Sequence, residues 1–270
     1  MTLPECAEEI ARGETDFLLA GAGPRDKRPG SGRGTLARFR LAGRGVVGKR
    51  ALHGGLLGRF LGGLYLGRKR GLRQLQLAHR LDRAGLPTPE ILAFGWRRSL
   101  GVLHAQAIIA REIPRAQNLY EAARENAPWR RRRVILESSG SLVRRMHDAG
   151  FVHGDLNVTN LVVGEGPEGD RLHIVDLDRG RFVRRVGSRQ RFRNLARLLR
   201  SYEKWIAGRW RLTPREEMIF LRGYCGPDRS LLRDLGHRLQ SYRRRLGLRR
   251  IAWGWSVSAA SDEGTPARPQ

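Results

Sequence analysis

Hydrophobic positions along this chain change their spacing about two-fifths of the way through. Up to residue 113 they come in short strand-like runs around one helical stripe, and from Leu119 they recur mostly at helical intervals. Residues 35–41 and 46–51, on either side of Ala42-Gly43-Arg44-Gly45, predict a β-hairpin. Leu72, Leu75, Leu77 and Leu81 predict a helix over 71–84, stopped by Gly85 and followed by the extended segment Leu86-Pro87-Thr88-Pro89. Strand-like stretches follow at 91–94 and 102–112, the latter leading through Ile113-Pro114 into a connection. A helix over 134–149, begun by the basic cluster Trp129-Arg130-Arg131-Arg132-Arg133, aligns Leu136, Leu142, Val143 and Met146 and stops at Gly150. The apolar runs Leu161-Val162-Val163 and Leu172-His173-Ile174-Val175 flank a polar turn and predict a second hairpin. Helices are expected over 194–200, 216–224 and 239–255. Residues 1–24 read as an irregular lead-in with one strand around 17–20, and 256–270 as a disordered tail. The sum is an α+β chain with a small β-rich N-terminal lobe over 25–114 and a mainly helical C-terminal lobe over 115–255.

Composition narrows the setting. The 270 residues are 40% hydrophobic, compatible with a buried core, and carry 52 Lys and Arg against 26 Asp and Glu, a net charge of +26. Such an excess draws phosphates and carboxylates, so nucleic acid, an anionic membrane surface and a polyanionic substrate all fit, and for the scattered arginines so does a solvated surface. Cys6 and Cys225 are far apart and lack metal-site or redox spacing. The start of the chain has no signal-peptide pattern and no apolar run reaches membrane-spanning length, so a soluble or peripheral protein is expected.

Candidate chemistry gathers in His153-Gly154-Asp155-Leu156-Asn157-Val158-Thr159-Asn160 and, after the second hairpin, Ile174-Val175-Asp176. An aspartate two residues after a histidine and five before an asparagine has the spacing of a phosphoryl-transfer loop: Asp155 accepts a hydroxyl proton, and Asn160 holds a metal ion. The hairpin returns Asp176 beside Asn160 as a second metal ligand. Upstream, Gly30-Ser31-Gly32-Arg33-Gly34 precedes the first hairpin, where Gly30, Gly32 and Gly34 would let backbone amides lie close over nucleotide phosphates; a plain flexible turn is the alternative. Lys49 and Arg50 point to opposite faces of their strand, and Lys49 is the one expected to reach the nucleotide. Together these features predict an ATP-using phosphotransferase.

Particular stretches carry a narrower resemblance. Asn157 stands where protein kinases commonly have lysine, and Asp176-Leu177-Asp178 where they have Asp-Phe-Gly, so Asp178 is a further metal-ligand candidate. These elements, with Gly54-Gly55, the stop at residues 85–89, Met146 to Asn157, Val175 to Gly180 and Asn194 to Ser201, resemble the Kdo (3-deoxy-D-manno-octulosonic acid) kinases of the lipopolysaccharide kinase family over most of residues 29–202. The resemblance implies a bilobal protein-kinase-like fold and a peripheral enzyme on the cytoplasmic face of the inner membrane. It also implies ATP and Mg2+ as cofactors and phosphorylation of the 4-hydroxyl of Kdo on a lipid A precursor. It makes Asp155 the base, Asn160 and Asp176 metal ligands, and Lys49 the partner of nucleotide phosphates. One departure stands out: the small-lobe helix has Gln74 where the family offers a glutamate to orient that cation. Partners implied are a Kdo-lipid A type glycolipid and an anionic inner-membrane surface, with no obligate protein partner and nucleic acid not expected. Alternatives within enzymes are a heptose kinase of the lipopolysaccharide core or an atypical small protein kinase. From another class, the alternative is a non-catalytic kinase-like module binding nucleic acid or anionic membrane. The basic segment over 239–255, ending in Trp253 and Trp255, fits either a capping helix or a contact with an anionic bilayer.

Overall fold

The computed structural model describes residues 36–50, 64–66, 69–100, 103–125, 127–166, 169–206 and 211–252. Gly30, Gly32, Gly34, the strand expected around 17–20, Gly54-Gly55, Trp253, Trp255 and the tail over 256–270 lie outside the described residues. Residues up to Pro227 belong to one compact unit, and Asp228 begins a second.

In the first unit, β1 (Leu36–Leu41) and β2 (Arg44–Arg50) form the expected antiparallel hairpin. The chain then forms β3 (Leu64–Leu66), helix α1 (Lys69–Arg83), β4 (Ile91–Leu100) and β5 (Leu103–Arg111). Strand β5 pairs antiparallel with β2, β3 and β4, which makes one five-stranded sheet. Alternation buries Ala37, Leu41, Val46, Leu92, Ala107 and Ile109 in one cluster, so the neighbouring Lys49 is left on the other face of β2. Helix α1 buries Leu77, Ala78 and Leu81, whereas Leu72, counted in its apolar stripe, is 47% exposed at the helix start.

The helical part follows a short β6 (Gln117–Asn118) and α2 (Leu119–Arg124), whose capping box pairs Asn118 with Glu121. Helix α3 (Trp129–Asp148) follows, and β7 (Phe151–Val152) comes just after its end. The second hairpin is β8 (Leu161–Gly166) and β9 (Gly169–Ile174), with Leu161 opposite Ile174. A 3-10 turn (Leu177–Arg179) and β10 (Arg181–Phe182), paired with β7, complete the frame, and helices α4 (Ser188–Trp205) and α5 (Pro214–Cys225) close it. The second unit contains α6 (Arg229–Ala252), which starts ten residues before the apolar pattern at Leu239. Among the described residues, no helix is long and apolar enough to cross a membrane.

Helices α3 and α5 meet through two glycines. A methyl group on Gly140 would run into the Phe220 carbonyl, and one on Gly223 into the Glu137 carbonyl, so the two backbones touch where the glycines face each other. Gly223→Ala should therefore destabilise the protein by about 1–3 kcal/mol, read as a lower urea midpoint at unchanged slope. An unchanged midpoint would show that the helices part without cost.

Candidate active site

The loop after β7 is wound by its own side chains. His153 is buried, and its Nε2 lies 3.0 Å from the Val175 carbonyl oxygen. A carbonyl only accepts, so Nε2 carries the proton and Nδ1 accepts the Asp155 N–H at 3.1 Å. Burial lowers the His153 pKa against the opposing Val175 hydrogen bond, and a second ring proton would also face the Asp155 amide. The Asp155 carbonyl accepts from Asn157 Nδ2 at 3.0 Å and Asn160 Nδ2 at 2.8 Å. Asn157 Oδ1 in turn accepts the Thr159 amide at 2.8 Å and the Thr159 hydroxyl at 2.6 Å. Val175 N–H donates to the Asn160 carbonyl at 3.1 Å, which stitches the end of β9 to the loop. Gly154 has no room for a side chain, because a methyl group there would strike the Arg179 carbonyl.

Opposite this loop, Asp176 adopts the left-handed conformation at φ 59 and ψ 58. Its Oδ1 accepts from Lys49 Nζ at 2.7 Å across the two parts of the unit. Burial opposes ionisation of Asp176, but the Lys49 charge and hydrogen bond outweigh it, and the pKa falls below the ordinary carboxylate value. Both partners stay partly open, with side chains 40% and 37% exposed. Asp178 is engaged differently. Arg70, in the first turn of α1, grips both of its oxygens, with Nε to Oδ1 at 2.7 Å and Nη2 to Oδ2. Arg73 adds a bond to the Gly180 carbonyl at 3.1 Å.

Helix α4 holds the loop from behind at three points. Asn194 Oδ1 accepts the His153 N–H at 3.2 Å while its Nδ2 donates to the His153 carbonyl at 2.9 Å. Arg197 Nη1 donates to the Gly154 carbonyl, and Ser201 Oγ accepts the Val158 N–H at 3.0 Å. Positions 194, 197 and 201 share one helix face. Behind Asn194, His147 Nε2 donates to the same Oδ1 at 3.1 Å, so His147 Nδ1 accepts from the Tyr224 hydroxyl at 2.9 Å. Burial pushes the His147 pKa down to about 4, against the Asn194 hydrogen bond and with help from the Arg191 charge.

Asn160 and Asp176 offer an amide and a carboxylate oxygen, hard donors of the kind Mg2+ takes. Among the described residues no three His, Cys, Asp or Glu side chains group to hold a metal ion. A divalent ion at this place would therefore draw the rest of its shell from phosphate oxygens and water.

The sequence pattern of the lipopolysaccharide kinase (Kdo/WaaP) family matches residues 30–224. The chain belongs to that family. A 3-deoxy-D-manno-octulosonic acid kinase of Xanthomonas euvesicatoria is 34% identical over 167 residues, 59% of this chain and 62% of that protein. One of Haemophilus influenzae is 30% identical over 139 residues, 51% of this chain and 55% of that protein. The match thus spans less than two thirds of the length of these curated relatives. A solved structure, WaaP in complex with acyl carrier protein, superposes with a TM-score of 0.57 at 22% identity and covers 90% of this chain and 98% of that one. The shared fold is protein-kinase-like, as expected: sheet first, helices after.

Asn160 Nδ2 reaches the Asp155 carbonyl, Lys49 reaches Asp176, and Asp178 faces Arg70. Lys49 finds its acid in Asp176, and α1, which carries Gln74, contributes a cation to the site. Arg70, Asn194, Arg197 and Ser201 received no role from the sequence. Only the 194/197/201 spacing marks a shared face, and their backbone partners leave no trace in side-chain chemistry.

Two outcomes follow from these contacts. His147 has a folded pKa of about 4 against about 6.5 when unfolded, so the unfolded chain binds more protons between those values. Stability should hold above about pH 6.5 and fall by roughly 3 kcal/mol as pH drops to about 4, with a shallower slope in a His147→Asn variant. Denaturant titrations at several pH values test this, and equal slopes would refute it. Separately, a double-mutant cycle on Arg70→Ala and Asp178→Ala should give a coupling of about 1 kcal/mol or more, whereas additive losses would mean the pair is ornamental.

Proposed function

We propose that the chain is an ATP-dependent kinase that phosphorylates a sugar hydroxyl, the 4-hydroxyl of Kdo, on a lipid A precursor at the cytoplasmic face of the inner membrane. The observation that carries the reading is the convergence of Asp155, in a loop fixed from behind by His153 and Asn194, with the Lys49–Asp176 pair. The acceptor oxygen attacks the γ-phosphorus of ATP, the bond to the bridging oxygen of ADP breaks, and the hydroxyl proton passes to the Asp155 carboxylate. Neutral His153 accepts the Asp155 amide proton, which aims this carboxylate without competing for the substrate proton. Lys49, resting on Asp176, moves onto the nucleotide phosphates as they enter. Asn160 and Asp176 are the residues that would hold Mg2+, which when bound neutralises charge on the transferred group. Asp178, the further metal-ligand candidate, pairs with Arg70 in this structure. Gly30, Gly32 and Gly34 remain the proposed phosphate cover.

The family membership and the two kinase relatives support a sugar acceptor. Incubation with labelled ATP and either Kdo-lipid A precursor, heptosylated lipid or a protein mixture decides it: label should enter only the first. Asp155→Asn should lower transfer at least about a hundredfold while nucleotide affinity by calorimetry changes little. Near-normal turnover in that variant would remove Asp155 as the base.

A further inference from the structure

Helix α4 has a second face beside the one that holds the loop. Arg189, Arg193, Arg197, Arg200 and Lys204 are all exposed, and at 3.6 residues per turn they fall within an arc of about 80°. They form a row roughly 22 Å long at 1.5 Å per residue. The one acid of α4, Glu203, falls outside the arc. Several arginines of this unit do meet acids: Arg38 with Glu112, Arg70 with Asp178, Arg132 with Glu216, Arg144 with Asp148, and Arg191, on another face of α4, with Asp148. Among the described residues Arg189, Arg193 and Arg200 meet no carboxylate, and Arg197 donates to the Gly154 carbonyl next to Asp155. Cations aligned on one face with no acid among them add up to a local positive potential that attracts an anionic surface. A single small anion is held best in a concavity, whereas these side chains are exposed one after another along a single helix. It fits a plane of anionic headgroups.

We propose that α4 lays this arginine row on an anionic lipid leaflet, which brings the catalytic loop to the headgroup plane through Arg197 and Gly154. The inference rests on the proposed kinase reading for its purpose, since a lipid-borne acceptor must reach Asp155 in the plane of its own membrane. Binding itself needs neither ATP nor acceptor.

The full chain is sedimented with vesicles of phosphatidylglycerol and phosphatidylethanolamine, with pure phosphatidylcholine vesicles as reference. Binding to the anionic vesicles should weaken as salt rises and fall roughly thirtyfold or more in Arg189→Glu/Arg193→Glu. Arg189→Gln/Arg193→Gln should lose less, and Arg130→Glu/Arg133→Glu, with the same change of net charge on exposed positions of α3, should bind nearly as the parent does. Equal losses in the α4 and α3 variants would overturn the proposal, as would binding of RNA with no binding of anionic vesicles. Vesicle binding that depends on the row in a chain that transfers no phosphate would sustain it and count against the kinase reading alone.

Discussion

One side-chain amide sets the geometry of the site. Asn194 reads the N–H and the carbonyl of His153 together, as a paired strand would, from within a helix. Its oxygen also takes the His147 proton, so the orientation of the amide is fixed by a buried chain that runs back to Tyr224. Buried polar groups in such a chain are costly to leave unpaired, so the loop can shift only if several hydrogen bonds break together. Neutral histidines suit this role because each ring nitrogen has one defined duty.

Two arginines perform the complementary task from the sheet side. Arg70 and Arg73 attach the start of α1 to the segment between Asp176 and Gly180. An ion pair between a lysine and a helix glutamate is one way to align such a helix; here the charges are exchanged, with the cation on the helix and the acid on the turn. At the position of Gln74 the helix offers no acid; in this structure Lys49 meets Asp176 and the start of the helix meets Asp178.

Much of this was legible in the chain. Hairpins announced themselves by glycine-containing turns between apolar runs, and α1 by its leucines and the stop at Gly85. Helix limits were less visible where ends are polar: α4 extends from Ser188 to Trp205 around an apolar centre at 194–200, and α6 begins at Arg229. The loop residues were legible because an acid, an amide and a second acid stand at the spacing that a phosphoryl-transfer loop uses. Supporting residues were not, since Asn194, Ser201 and Arg197 bind backbone groups that every residue possesses. Arg70 was hidden among the many arginines of a chain with a net charge of +26.

Asp176 sits at φ 59, a region that disfavours side chains other than those of asparagine and aspartate and is open to glycine. Its carboxylate must also meet Lys49. Backbone shape favours glycine, asparagine and aspartate, and the ion pair asks for a carboxylate, so aspartate is the residue that meets both preferences. This position is thus constrained twice, by backbone shape and by charge, so that any substitution gives up one of the two.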